Sequence, residues 1–124
     1  MLEFERIAWM SSPSIVPDLV PIDFEHLERM TLGDEDLARE VLELFVTQAD
    51  VLIGRLTALP KDAAALTHQL KGSARGIGAM AVAQAAENVE AVLREGGDVS
   101  LALWALDMAV KAAGEAIAQR LRQN

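Results

Sequence analysis

The run Asp62-Ala-Ala-Ala-Leu-Thr-His-Gln-Leu-Lys-Gly-Ser-Ala-Arg-Gly-Ile-Gly78 decides the fold. Placed on a wheel at about 100° per residue, it gathers Leu66, Leu70, Ser73 and Ile77 on one side and sets His68 on the other. A helix with one apolar stripe must bury it against another element. The stretches on either side repeat the same helical spacing, so the partners of this helix are other helices.

Upstream, Asp34 is placed to cap a helix whose first turn holds Glu35 and Asp36, where negative charge complements the helix dipole. Leu37, Val41, Leu44, Phe45, Leu52 and Leu56 then recur at helical spacing. Before that, Asp23 is placed to cap a short helix with Phe24, Leu27 and Met30, closed by Leu32-Gly33. Pro60 suits the first position of the helix that holds His68. Downstream, Met80, Val82, Ala86, Val89 and Leu93 predict a further helix that stops at Gly96-Gly97. Asp98 caps the last one, with Leu101, Trp104, Met108, Ala112, Ile117 and Leu121. Trp104 and Phe45 fall at core spacing, and Met30, Met80 and Met108 read as core filling. Four long helices on short links are antiparallel neighbours. The expected fold is all-α: an antiparallel up-down-up-down four-helix bundle with a short additional N-terminal helix. Residues 1–21 read as a flexible tail, because Pro13, Pro17 and Pro21 alternate with Ser11, Ser12 and Ser14. Residues 22–124 form the bundle domain, and the short end after the last helix, Leu-Arg-Gln-Asn, argues against a missing continuation.

Composition supports helices and removes several chemistries. Of 124 residues, 52% are hydrophobic but only 4% aromatic, so Ala and Leu carry the apolar content. The absence of Cys removes disulfides and thiol catalysis, and two histidines, His26 and His68, do not make a multi-histidine metal centre. A net charge of −8 argues against nucleic acid as a partner. Glu3 and Glu5 stand where a signal peptide needs positive charge, and no run approaches the roughly 20 apolar residues of a membrane span. A cytoplasmic monomer without membrane contact is expected. Gly76-Ile-Gly78-Ala-Met-Ala81 imitates a dinucleotide fingerprint, but that motif works only between a strand and a helix. Lys71-Gly72-Ser73 lacks the order of a phosphate-binding loop, so the chain has no recognisable ATP site.

His68 is left facing solvent, ringed by Lys61, Ala64, Ala65, Lys71, Gly72 and Arg75. The plain reading is an ordinary wet helix face. The chemical reading is a nucleophile: an imidazole with a reference pKa near 6.5 is mostly neutral at pH 7, and the cations suit an anionic group. A glycine inside a helix costs about 1 kcal/mol relative to alanine. Gly72 therefore reads as clearance for something large approaching the ring.

His68-x-Leu70-Lys71-Gly72-Ser73-Ala74, followed by Gly78-Ala79, closely resembles the motif of the histidine-containing phosphotransfer (HPt) domain family. The resemblance continues upstream through Ile22-Asp23, Leu27, Gly33-Asp34, Leu37, Leu44-Phe45 and Ala49. Downstream it takes in Ala86-Glu87, Val89-Glu90 and Gly97-Asp98. It implies a phosphocarrier without its own ATP site, relaying a phosphoryl group between receiver-domain aspartates in a two-component phosphorelay. On this resemblance His68 is the phosphorylated residue, attacking through Nε2, and Lys71 neutralises charge on the phosphoryl oxygens. Gly72 leaves room for the receiver, with Arg75, Ala64, Ala65 and Lys61 on the partner face. Glu90, 22 residues after His68, is expected to accept a hydrogen bond from Nδ1–H. Glu87 is its rival, and a solvated surface ion pair is the plain alternative for Glu90. The implied partners are response-regulator receiver domains, a hybrid histidine kinase, or both. Any magnesium is expected in the receiver, with no metal or cofactor here. Two other readings stand beside this one: a phospho-acceptor domain served directly by a chemotaxis-type histidine kinase, and a bundle that binds receivers or kinases without transfer. His26, next to Leu27, is expected at a surface or an edge.

Overall fold

Five helices account for most of the computed structural model, which describes residues 20–123: α1 (Phe24–Met30), α2 (Glu35–Leu56), α3 (Ala63–Ile77), α4 (Met80–Glu95) and α5 (Ser100–Arg122). There is no strand among the described residues. The expected tail, residues 1–21, lies outside the described residues apart from its last two.

Local chemistry accounts for most of the boundaries. The Asp23 carboxylate accepts from His26 N at 3.1 Å and that of Asp34 from Leu37 N at 3.0 Å, each satisfying a backbone donor with no intrahelical partner. Gly78 and Gly96 end α3 and α4 in the left-handed region, with φ of 87° and 71°. Asp98 works from one position further out than expected. Val99 is the N-cap residue, but the Asp98 carboxylate accepts from both Ser100 N and Ser100 Oγ, at 2.9 and 2.7 Å. Pro60 does not open α3. Leu59, at φ +48°, and Pro60 are used up in reversing the chain, and the helix begins only after Asp62.

The core is a single cluster in which small side chains matter as much as large ones. Ala74, Ala83, Ala86 and Ala113 are buried among Leu42, Phe45, Leu70, Val82, Leu106 and Ile117. Helices seated this closely on alanine leave no space for an indole. The expectation for Trp104 is accordingly corrected: the residue is 61% exposed, while Phe45 is buried. The α5 core stripe is Leu106, Val110, Ala113 and Ile117, so Leu101, Trp104 and Met108 fall on its outer face. Met30 and Met80 are likewise exposed and do not fill the core.

Specific contacts link neighbouring helices. Ser73 Oγ on α3 donates to Gln48 Oε1 on α2 at 3.0 Å, and earlier along α3 the preceding Asp62 meets Arg55, later along α2, at 3.3 Å. Arg39 of α2 reaches the Leu121 carbonyl near the end of α5 at 3.4 Å. The short α1 is tied to the α3–α4 turn, where Asp23 N donates to the Gly78 carbonyl at 2.8 Å. Arg120 lies over the Phe24 ring, 4.8 Å from its centroid. None of the helices described is long and apolar enough to cross a membrane.

Candidate functional site

His68 occupies the middle of α3, where the helix is anchored from below. Leu66, Leu70, Ala74 and Ile77 are buried, and the buried Thr67 hydroxyl donates back to the Ala63 carbonyl at 2.7 Å. That anchoring turns the next residue outward, and the His68 side chain is 72% exposed.

One neighbour engages the ring. Glu90 Oε2 lies 3.0 Å from His68 Nδ1, and the other oxygen of the same carboxylate, Oε1, lies 2.6 Å from Lys71 Nζ. Glu90 faces α3 because α4 packs on it through the buried Ala83, Ala86 and Val89. The Lys71 and Glu90 side chains are only 12% and 13% exposed, so this ion pair is sheltered in a way the histidine is not. Burial pushes the Glu90 carboxyl up. The hydrogen bonds and positive charge of Lys71, with those of His68, more than offset this and hold it below its ordinary value. An ionised carboxylate can only accept, so the neutral ring carries its hydrogen on Nδ1 and keeps the Nε2 lone pair. Nε2 has no protein partner among the described residues.

The remaining residues of the expected site separate into groups. Ala64, Ala65 and Gly72 are exposed on α3 around the ring. A Cβ added at Gly72 would meet nothing within 4 Å, so the fold does not require glycine there. Arg75 is exposed too, with Nη2 3.6 Å from Glu87 Oε2, so Glu87 pairs with Arg75 and not with the imidazole. Lys71 is not a free cation on the open face, since its ammonium is held by Glu90. Lys61 is exposed but lies in the turn before Ala63, off the helical face on which the wheel placed it. His26 is more than a surface residue. Its ring packs at the α3–α4 turn beside Gly78, and Nε2 is buried with no hydrogen-bond partner among the described residues.

Sequence reasoning missed the other side of the face. Leu44 and Val51 on α2 are 65% and 55% exposed and flank Gln48, which holds Ser73. Gly76, treated only as part of a false fingerprint, is an exposed helical glycine with open space around its Cα. The signal was their one-residue offset from Phe45 and Leu52; Leu44, counted in one apolar series with Phe45, Leu52 and Leu56, instead faces outward.

The arrangement is an exposed imidazole with one nitrogen occupied by a half-buried, lysine-held carboxylate and the other open to a reactant. In comparison with known proteins, a family model described as the Hpt domain matches residues 40–123. No curated protein and no solved structure matches the chain.

Proposed function

The chain belongs to the Hpt domain family, and from that premise we propose that it carries a phosphoryl group on His68 between receiver domains of a two-component phosphorelay. The observation that carries this reading is the contact of His68 Nδ1 with Glu90, 3.0 Å, on a side chain otherwise open to solvent. Attack by Nε2 on a receiver's aspartyl phosphate forms the N–P bond and breaks the P–O bond, and the aspartate leaves as a carboxylate. The ring gains positive charge in that step while keeping the hydrogen on Nδ1. Glu90 faces the hydrogen and offsets the charge; the reverse transfer restores the neutral ring. Lys71 acts through Glu90, as a positioning residue. Its ammonium fixes the carboxylate and so the tautomer of the ring. Arg75, Ala64, Ala65 and Lys61 are assigned to the rim that a partner covers, with Gly72 as clearance. The divalent ion of such transfers belongs to the receiver.

The helices are read as an antiparallel up-down-up-down bundle over residues 22–124. Supporting this, the pairs Gln48–Ser73 and Arg55–Asp62 run in opposite directions along α2 and α3, as do Lys71–Glu90 and Arg75–Glu87 along α3 and α4. The carrier is taken to act as a cytoplasmic monomer, after a tail that ends at residue 21. A second reading is favoured by one observation, the carboxylate at position 90, which resembles acceptor domains served directly by a chemotaxis-type kinase.

The deciding experiment incubates the protein with ATP alone, with a receiver domain charged by acetyl phosphate, and with a chemotaxis-type kinase core plus ATP. The expected outcome is no label from ATP alone and an acid-labile, base-stable label from the charged receiver, absent in His68→Ala. Label only from the kinase core would establish the second reading. Label that survives His68→Ala would remove His68 from the mechanism.

A further inference from the structure

We propose that residues 2–10, which lie outside the described residues, cover an apolar groove between α2 and α5, on the side of the bundle away from His68. The contact leaves the His68 face free, and its failure would leave the transfer reading above untouched. α5 packs chiefly on α2 and α4, and α3 sits between the same two helices. The outward face of α5 is therefore diagonal to that of α3. Leu101, Trp104 and Met108 are exposed along it. Beside them the seam between α2 and α5 is open. Ile53, Leu56, Leu103 and Trp104 line the part near the start of α5. Val46, Thr47, Gly114 and Ala118 line the part nearer its end. An added Cβ at Gly114 would meet nothing within 4 Å, so packing within the bundle does not require glycine there. A glycine inside a helix is destabilising, and here it deepens the seam for a further segment of chain.

Composition and reach identify the occupant. Residues 1–10, Met-Leu-Glu-Phe-Glu-Arg-Ile-Ala-Trp-Met, hold seven apolar side chains, and Phe4 and Trp9 are two of only five aromatics in the chain. Segments that stay solvated are poor in aromatics, so this composition calls for an apolar surface. Val20, where the described chain begins, lines a hollow with Phe24, Gly78 and Met80. Arg120, near the end of α5, lies over the same Phe24 ring. The segment thus enters at the end of the bundle where α5 finishes. From Arg120 back to Trp104 is about 24 Å, at about 1.5 Å per helical residue. Residues 11–19 span about 30 Å when extended, which is enough to bring residues 2–10 along the seam to Trp104. Leu44 and Val51, the exposed apolar pair on α2, stand two turns apart, whereas Leu101, Trp104 and Met108 follow one another turn by turn beside the seam. Tethering holds the segment at an effective concentration on the order of millimolar, which favours it over a second copy of the chain.

The test uses the full chain. It has no cysteine, so Ala8→Cys takes a single nitroxide label, whose unpaired electron broadens the NMR signals of nearby amides. The amide signals of Ile53, Thr57 and Trp104 are expected to fall at least twofold, and those of Ala65 and Gly72, beside His68, to change less. A second sample mixes nitroxide-labelled protein of natural isotopes with unlabelled, isotope-enriched protein, so that only contact between copies broadens signals; none is expected. Trp9 and Trp104 are the chain's two tryptophans, so Trp9→Phe leaves Trp104 as the sole indole reporter. Adding Phe4→Ser and Ile7→Ser to Trp9→Phe should at least double the quenching of Trp104 fluorescence by acrylamide, with helical circular dichroism unchanged. Broadening that is absent from the α2/α5 seam, or strongest at Leu44 and Val51, would overturn the proposal. Broadening in the mixed sample would assign the groove to a second copy instead, and equal quenching in the two proteins would show that residues 2–10 do not cover Trp104.

Discussion

Glu90 ties the two kinds of residue at this site together, one exposed and reactive, the other sheltered and fixed. Its two oxygens are divided between Lys71 and the imidazole, so changes at position 90 should separate tautomer control from charge. Glu90→Gln keeps an acceptor oxygen, and receiver transfer is expected to persist at a reduced rate. Glu90→Leu removes the acceptor and should lower transfer at least tenfold, with the ring's nitrogen NMR shifts reporting a mixture of tautomers. Equal transfer in both variants would make Glu90 a bystander. Gly72 makes the complementary case for access. With open space at its Cα, Gly72→Gln should hold or raise stability, by up to about 1 kcal/mol, while transfer from a receiver falls. Melting temperature and transfer rate should thus move in opposite directions, and a variant that transfers at the wild-type rate would show that Gly72 gives no clearance.

At the scale of elements, the two glycines at the ends of α3 and within α2 behave differently for a stated reason. A Cβ at Gly78 would stand 2.6 Å from the Asp23 carbonyl oxygen, and the residue holds φ +87°. The carbonyl is part of the backbone that ties α1 to the bundle, so it cannot swing away as a side chain would. Gly78→Ala should cost about 2 kcal/mol or more, combining left-handed strain with displacement of α1. Gly54→Ala, in open helical space, should gain up to about 1 kcal/mol. Urea unfolding of the two variants checks the contrast. A neutral Gly78→Ala would contradict the α1 docking described above, and a destabilised Gly54→Ala would contradict the open setting of that glycine on α2. The caps were readable in advance at this scale, since Asp23, Asp34 and the glycines act within a few residues of themselves. Pro60 was misplaced because the chain reversal at Leu59 depends on where α3 must sit against α2, which no local signal encodes.

For the whole molecule, the Glu90 network couples helix packing to pH. The folded-state pKa of Glu90 is lowered from its ordinary value of 4.5, so its contribution is fully present above that value and is lost as pH falls through the folded pKa. Asp98, held low by the Ser100 backbone N–H and hydroxyl, titrates in the same direction. The stability difference between wild type and Glu90→Gln should therefore shrink as pH falls below 4.5. Unfolding free energies measured across that range provide the check. A difference that grows as pH falls below 4.5 would reverse the assigned sign.

Periodicity, caps and turn glycines are properties of neighbouring residues, and by themselves they determined an all-helical chain with His68 opposite the apolar side of its helix. The motif around His68 likewise lies within one short stretch, which made the family legible. Which of two apolar stripes on α5 becomes core was decided only by tertiary structure. Close packing on Ala83, Ala86 and Ala113 excludes Trp104 even though its spacing is as regular as that of Leu106. The choice of Glu90 over Glu87 as the partner of His68 was decided in the same way. Both lie on α4 within a turn of one another, and only the register of α4 against α3 gives the imidazole and Lys71 to one carboxylate and Arg75 to the other. Register is set by how the buried faces interlock, a relation between residues far apart in sequence.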